Sequence, residues 1–194
     1  MTAYLLRHID TWIFDLDNTL YPPSSRLFDL IDARMGAYIA RLLGCDLAEA
    51  RRVQKDYFHA HGTTLAGLMH HHDVMAEHFL VDVHDIDLDR LSPCPRLAHN
   101  IAALPGRRII FTNADADYAA RVLNARGLAG LFDDICDIRA TGYVPKPQAA
   151  AYDHLIAAFA IDPTRSLFVE DMARNLSPAK ALGMTTLWLD NGAE

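Results

Sequence analysis

Cysteine is scarce and cannot pair off. Cys45, Cys94 and Cys136 are odd in number, far apart and outside any CxxC pattern. That argues against a disulfide frame or a thiolate zinc site and leaves reduced, structural cysteines. Positive charge is also short, with 18 Lys and Arg against 25 Asp and Glu and a formal net charge of −7. No basic face results, so no nucleic-acid polymer is expected as a partner. Long apolar runs are missing too. Met1 to Asp10 has no signal-peptide core and no stretch approaches a bilayer span, so the expectation is a cytoplasmic protein with no membrane partner. Hydrophobic residues nevertheless make up 51% of the 194. That is enough core for one domain with an insertion, or for one large and one small domain.

The stretch Thr11 to Pro22, TWIFDLDNTLYP, carries the most information. Trp12, Ile13, Phe14 and Leu16 form the short apolar run of a buried strand, which ends in the turn-prone Asp17-Asn18-Thr19. Asp15 and Asp17 are two residues apart, so the period of a strand aims both the same way. Two carboxylates sharing one site cannot both ionise cheaply. Either one keeps a proton or a cation sits between them, and a solvated strand end with incidental acids is the bland alternative.

From Ser24, apolar residues at Leu27, Ile31, Met35, Tyr38 and Leu42 mark one helical face, ended by Gly44. Asp46 and Glu49 stand in capping-box positions before a second helix with Ala50, Val53 and Tyr57. Gly62-Thr63-Thr64 breaks the pattern, Leu65 to Met69 reads as a short helical turn, and Asp73 is placed to cap a further helix with Val74, Met75 and Phe79. Seven of the ten histidines lie between His59 and His84. His70-His71-His72 cannot all face one ion from a helix, so the run is read as a polar helix end. Tyr57, Phe58 and His61 could stack on a base, with Tyr57 read as core.

After Ser92-Pro93-Cys94-Pro95 the texture changes. Strand patterns at Arg108 to Thr112, Ile135 to Ile138, Ser166 to Val169 and Thr185 to Leu189 alternate with helices opened by Asn113-Ala114-Asp115 and running through Arg126, from Pro147, and over Pro178 to Leu182. Such alternation implies an α/β fold, a parallel sheet with helices on both faces, and ligands of such sheets sit outside the C-terminal strand ends. Asp15, Thr112 with Asn113, and Glu170 with Asp171 all fall at such ends, and Lys146 precedes a helix start.

These residues resemble the haloacid-dehalogenase-like hydrolase superfamily. Asp15-Leu16-Asp17-Asn18-Thr19-Leu20 is similar to its DxDxT first motif, Thr112 to its second, Lys146 to its third and Glu170-Asp171 to its acidic fourth, in order along nearly the whole chain. The resemblance implies a Rossmann-like core over residues 1–20 and 92–194 and an inserted helical cap of the first type over residues 21–91. Asn18 with Tyr21, the segment His61 to Leu68, Thr112-Asn113-Ala114 and the segment Glu170 to Leu176 are similar to the pyrimidine 5′-nucleotidase-like branch. Relatives run past the strand ending near Leu189 while this sequence stops at Glu194, so a last strand or helix of the family pattern is expected to be missing.

The implied activity is a Mg²⁺-dependent phosphomonoesterase working through an aspartyl-phosphate. A phosphate monoester dianion repels a carboxylate, so a metal and a fixed cation must offset charge before Asp15 attacks. Mg²⁺ suits an all-oxygen site. Asp15 and Asp171 are expected to supply carboxylates, Asp17 its backbone carbonyl, and Glu170 a direct or water-mediated contact. The Asp17 side chain is then the general acid and base. Thr112 and Asn113 would donate to phosphoryl oxygens, Lys146 would add charge, Thr63 and Thr64 would bind substrate from the cap, and Asn175 would support the acidic loop and Lys146. The expected partner is a small phosphate monoester, a nucleoside 5′-monophosphate first, for a monomer or homodimer. A sugar phosphate or phosphoglycolate is the alternative. A 2-haloacid dehalogenase fits less well, because displacing halide needs neither metal nor acid.

Overall fold

The computed structural model describes residues 6–192. Residues 1–5 and 193–194, which contain both ends of the expected core boundaries, lie outside the described residues. Five strands form one parallel sheet: β1 (Thr11–Phe14), β2 (Arg107–Phe111), β3 (Asp134–Cys136), β4 (Ser166–Glu170) and β5 (Thr185–Trp188), in the order β3-β2-β1-β4-β5. Phe14 pairs with Ile110 on one side and Val169 on the other. The chain therefore leaves β1 for one edge and returns to the other, which opens a crevice at the C-terminal ends of β1 and β4.

Side chains of β1 alternate between two cores, as the strand period requires. Ile13 packs with Ile109, Phe111 and Phe168 against α7 (Ala149–Phe159) and α8 (Ala173–Ala181). Trp12 and Phe14 face α5 (Pro95–Ala102) and α6 (Ala116–Ala125), in a core that continues into the helices between β1 and β2. Those are α1 (Phe28–Leu43), α2 (Leu47–His61), α3 (Thr64–His72) and α4 (Ala76–His84).

Local chemistry explains most boundaries. Gly44 ends α1 at φ +63°, and Asp46 accepts from Glu49 N at 2.9 Å to start α2. A Cβ on Gly67 would stand 2.4 Å from Tyr57 Cβ, so α3 can lie this close to α2 only with glycine there. Among the described residues, no helix is long and apolar enough to cross a membrane.

Several expected boundaries move. Asp73 does not cap the next helix; at φ +50° it terminates α3, which runs nine residues, and α4 starts after Met75. The ladder of β3 stops at Cys136, because Asp137 turns to accept from Ala116 N and Ala140 N. A short 3₁₀ turn at Pro23–Ser25 delays α1 to Phe28. Helix α7 begins at Ala149 and not at Pro147. Its successor begins at Ala173 and carries Pro178 in its interior, at the loss of one N–H donor.

Helix α4 is pinned to the sheet side. Glu77 accepts from Arg139 at 2.7 and 2.8 Å and from Tyr143 Oη at 2.6 Å, and Arg121 donates to His84 O at 2.9 Å. These donors hold the Glu77 carboxyl down at about 2. A depressed carboxylate stabilises the fold above its unfolded value, and that stabilisation is lost as pH falls through the folded one. Glu77 is half-exposed, so Glu77→Gln should cost roughly 0.5–1 kcal/mol at neutral pH. The gap between the two proteins should close as pH falls from about 4.5 toward about 2, as read from urea melts in an acid-to-neutral buffer series.

Candidate active site

The ends of β1, β2 and β4 deliver side chains to one buried point. Asp15 follows β1, with its N–H on Val169 O at 3.0 Å, and is 6% exposed. Lys146, from the loop before α7, is 1% exposed. Its Nζ donates to Asp15 Oδ1 at 2.7 Å, to Phe111 O at 2.8 Å and to Glu170 Oε1 at 3.3 Å. The ammonium also sits between the Phe111 and Phe168 rings, 5.1 and 5.3 Å from their centres. Asn113 grips the backbone of this lysine: Oδ1 accepts from Lys146 N at 2.8 Å and Nδ2 donates to Lys146 O at 3.2 Å. One Nδ2 proton is thereby spent on the loop; Asn113 also lines the cavity, and its second Nδ2 proton is left for the donor role expected from the sequence.

Glu170, 1% exposed, has both oxygens engaged. Oε1 accepts from Lys146 and from Asn175 Nδ2, and Oε2 accepts from Asp171 N at 3.0 Å. Asp171 accepts from Thr19 Oγ1 at 3.4 Å, and Trp188 Nε1 donates to its carbonyl at 2.8 Å. One oxygen each of Asp15, Glu170 and Asp171 falls within 4.8 Å of the others. A single ammonium cannot neutralise three buried acids. Burial, then the charge of Glu170, pushes Asp15 up to about 7 despite Lys146, and burial with Asp15 pushes Asp171 up to about 6. Burial opposes the charge on Lys146, but Asp15 and Glu170 more than offset it and hold the lysine above its ordinary value. This trio of hard oxygen donors with surplus negative charge suits a divalent cation such as Mg²⁺. Asp17 does not join the trio by its side chain.

Asp17 lies in a different environment. Its Oδ1 accepts from Tyr21 Oη at 2.5 Å and Tyr118 Oη at 2.9 Å, while burial and the charge of Asp15 raise its pKa. Tyr118 stacks on His84 with centroids 4.4 Å apart, and His84 Nδ1 shares a hydrogen bond with Asp115, the N-cap of α6. Tyr21, one helical turn after Asp17, could be connected to it from spacing. Nothing in the spacing could reveal that Tyr118 and His84 converge there. Of the many histidines, His84 is the one against this site; His61 and His71 face each other on the surface at 3.0 Å.

Between these groups and the helices lies a cavity of about 300 Å³. Asp15, Asp17, Thr112, Lys146, Glu170 and Asp171 line its sheet side, and Phe28, Ile31, Met35, Phe58, Leu65 and Phe79 line the helical side. Thr112 accepts from Ala114 N at 3.0 Å, which leaves its own proton to donate. Thr63 and Thr64 line the cavity, but Thr63 caps α3 through Ala66 N and Thr64 donates to Gln54 O at 3.3 Å. Phe58 lies 4.1 Å beneath the Arg174 guanidinium, while Tyr57 packs on His71 outside the cavity wall.

Residues 9–183 match a family profile described as haloacid dehalogenase-like hydrolase. Phosphate metabolism protein 8 of Saccharomyces cerevisiae is 25% identical over 193 residues, covering 89% of this chain and 59% of the yeast protein. The chain thus spans less than two thirds of that relative. Among solved structures, a HAD phosphatase from Thermococcus onnurineus superposes with a TM-score of 0.62 at 18% identity, over 96% of this chain and 88% of that one. The magnesium-bound HAD hydrolase YfnB of Bacillus subtilis gives 0.60 at 15% identity, over 96% and 89%. Both likenesses are of fold.

Removing the ammonium leaves Asp15 and Glu170 buried without their cation. Lys146→Met should destabilise the protein by about 3–5 kcal/mol in chelator at neutral pH. Adding Asp15→Asn should recover part of that loss, a coupling of roughly 1–3 kcal/mol in a denaturant double-mutant cycle. Strict additivity would mean that the ion pair is not coupled.

Proposed function

The chain belongs to the haloacid dehalogenase-like hydrolase family, and from that premise we propose that it is a phosphomonoesterase in which Asp15 is the nucleophile. The observation that carries this reading is the fully buried Lys146, 2.7 Å from Asp15 and beside two further acids. Such a charge pattern suits a dianionic phosphoryl group and a divalent cation better than a neutral carbon–halogen bond.

Lys146 holds Asp15 Oδ1, which leaves Oδ2 to attack phosphorus. The new O–P bond forms as the ester O–P bond breaks, and the leaving oxygen takes a proton from Asp17. Burial raises the Asp17 pKa and so favours the protonated form that this step needs. Asp17 then removes a proton from the water that attacks the phosphoryl group, which releases phosphate and restores Asp15. The Thr112 hydroxyl donates to a phosphoryl oxygen, while Asn113 serves by fixing Lys146. Mg²⁺, when bound by Asp15, Asp171 and the Asp17 carbonyl, offsets phosphoryl charge. Glu170 would support that ion directly or through water, and its Oε1 accepts from Lys146.

Residues 21–91 act as the cap and supply substrate selectivity, with Thr63 and Thr64 at the loop nearest the phosphoryl group. Nucleoside 5′-monophosphates are the favoured class, pyrimidine nucleotides first. The largely apolar helical wall supports a flat base over the polyol of a sugar phosphate, whose hydroxyls would lose hydration there.

Hydrolysis of p-nitrophenyl phosphate should require Mg²⁺ and stop in excess EDTA, and Asp15→Asn should abolish it. Asp17→Asn should slow turnover by about 10² to 10⁴. With an aryl phosphate, whose leaving group needs little protonation, rapid quench should find a nitrophenol burst with phosphate trapped on Asp15. Unchanged turnover in Asp17→Asn would remove Asp17 from the mechanism.

A further inference from the structure

One polar atom in the cavity has no role in the chemistry above. Gln54 on α2 is 3% exposed and lines the cavity from the helical side. Its Nε2 donates to Asp32 Oδ1 at 2.8 Å. Asp32 also accepts from Arg51 at 3.0 Å and Lys55 at 3.1 Å, so it is an ionised acceptor and only the amide nitrogen can face it. This fixes the orientation of the amide. Oε1 is then the group left over, and among the described residues no donor reaches it. On the side away from Asp32, Met35 lies against the same amide and the side-chain-free face of Gly36 is alongside. The fully enclosed unpaired side-chain atoms among the described residues lie elsewhere, so Oε1 opens on the cavity, and a ligand that covers it without bringing a donor strips its hydration at a cost.

We propose that Gln54 Oε1 is a specificity-determining acceptor for an N–H group on the leaving moiety of the substrate. The chemical class is a phosphate monoester whose leaving group is a flat, mostly apolar heterocycle with an N–H on its rim. The proposal rests on the phosphomonoesterase reading of the same site and adds the residue that chooses among leaving groups. A site that offers a fixed acceptor rejects the analogue lacking the donor, because the acceptor then stays buried and unpaired.

The test uses pairs that delete the donor without adding bulk: cytidine 5′-monophosphate against its 2-pyrimidinone analogue, and adenosine 5′-monophosphate against its purine analogue, each of which lacks the exocyclic amino group. In the unmodified protein, kcat/KM should favour the donor-bearing member of at least one pair by about tenfold to a hundredfold. Gln54→Met keeps the side-chain length, leaves Asp32 its two cationic partners and removes the acceptor; in it the preference should fall to about twofold or less. Calorimetric binding of the same four nucleotides to Asp15→Asn should show the same preference without turnover. The proposal is overturned if neither pair separates in the unmodified protein, if the preference survives in Gln54→Met, or if none of the four binds. Should no phosphate be released from any nucleotide or from p-nitrophenyl phosphate, the phosphatase reading fails, and the calorimetric preference alone decides the role of Gln54.

Discussion

One buried ammonium holds the site together. Among the described residues, Lys146 is the cation bonded to two of the three buried acids, which come from the ends of two different strands, and without it those acids would repel each other. Its own position is over-determined: Asn113 binds both backbone groups, Phe111 O accepts from Nζ, and two aromatic rings enclose the charge. The loop before α7 is thereby tied to the end of β2. A long, flexible side chain becomes a fixed charge, which is what electrostatic preorganisation requires.

The helical segment meets this frame in two unequal ways. On the α4 side, Glu77, His84 and the backbone around them are held by Arg139, Tyr143, Asp115 and Arg121. On the α2 side the contacts include the Arg174 guanidinium over Phe58 and its 3.2 Å bond to Gly62 O. The cavity lies between these attachments. The residues that would touch phosphate come from the sheet and the apolar wall comes from the helices, so the proposed chemistry and the proposed selection draw on separate parts of the chain.

The sheet was legible because its strands are short apolar runs ending in charge, and a parallel sheet gathers its strand ends at one edge. That logic brings Asp15, Thr112, Glu170 and Asp171 together before any coordinates. It does not say where a polar side chain spends its hydrogen bonds. Asn113 stands beside Thr112 in sequence yet turns its amide to Lys146, and the Thr64 hydroxyl is taken by Gln54 O. The Tyr118–Asp17 bond and the His84–Asp115 contact join segments far apart in the chain, with no periodic signal to announce them. Proline is a poor marker of helix starts in this chain, because α8 begins at Ala173 and tolerates Pro178 inside.

The indole of Trp188 bonds the carbonyl of Asp171 from a half-exposed position at the end of β5, while the other tryptophan, Trp12, is buried in β1 and bonded to Pro105 O. The chain thus carries two fluorophores in contrasting surroundings, and the one nearer water is wired to the acidic loop. A shift of that loop would be felt at one indole and not directly at the other, so the two residues offer a contrast within one chain that needs no added label.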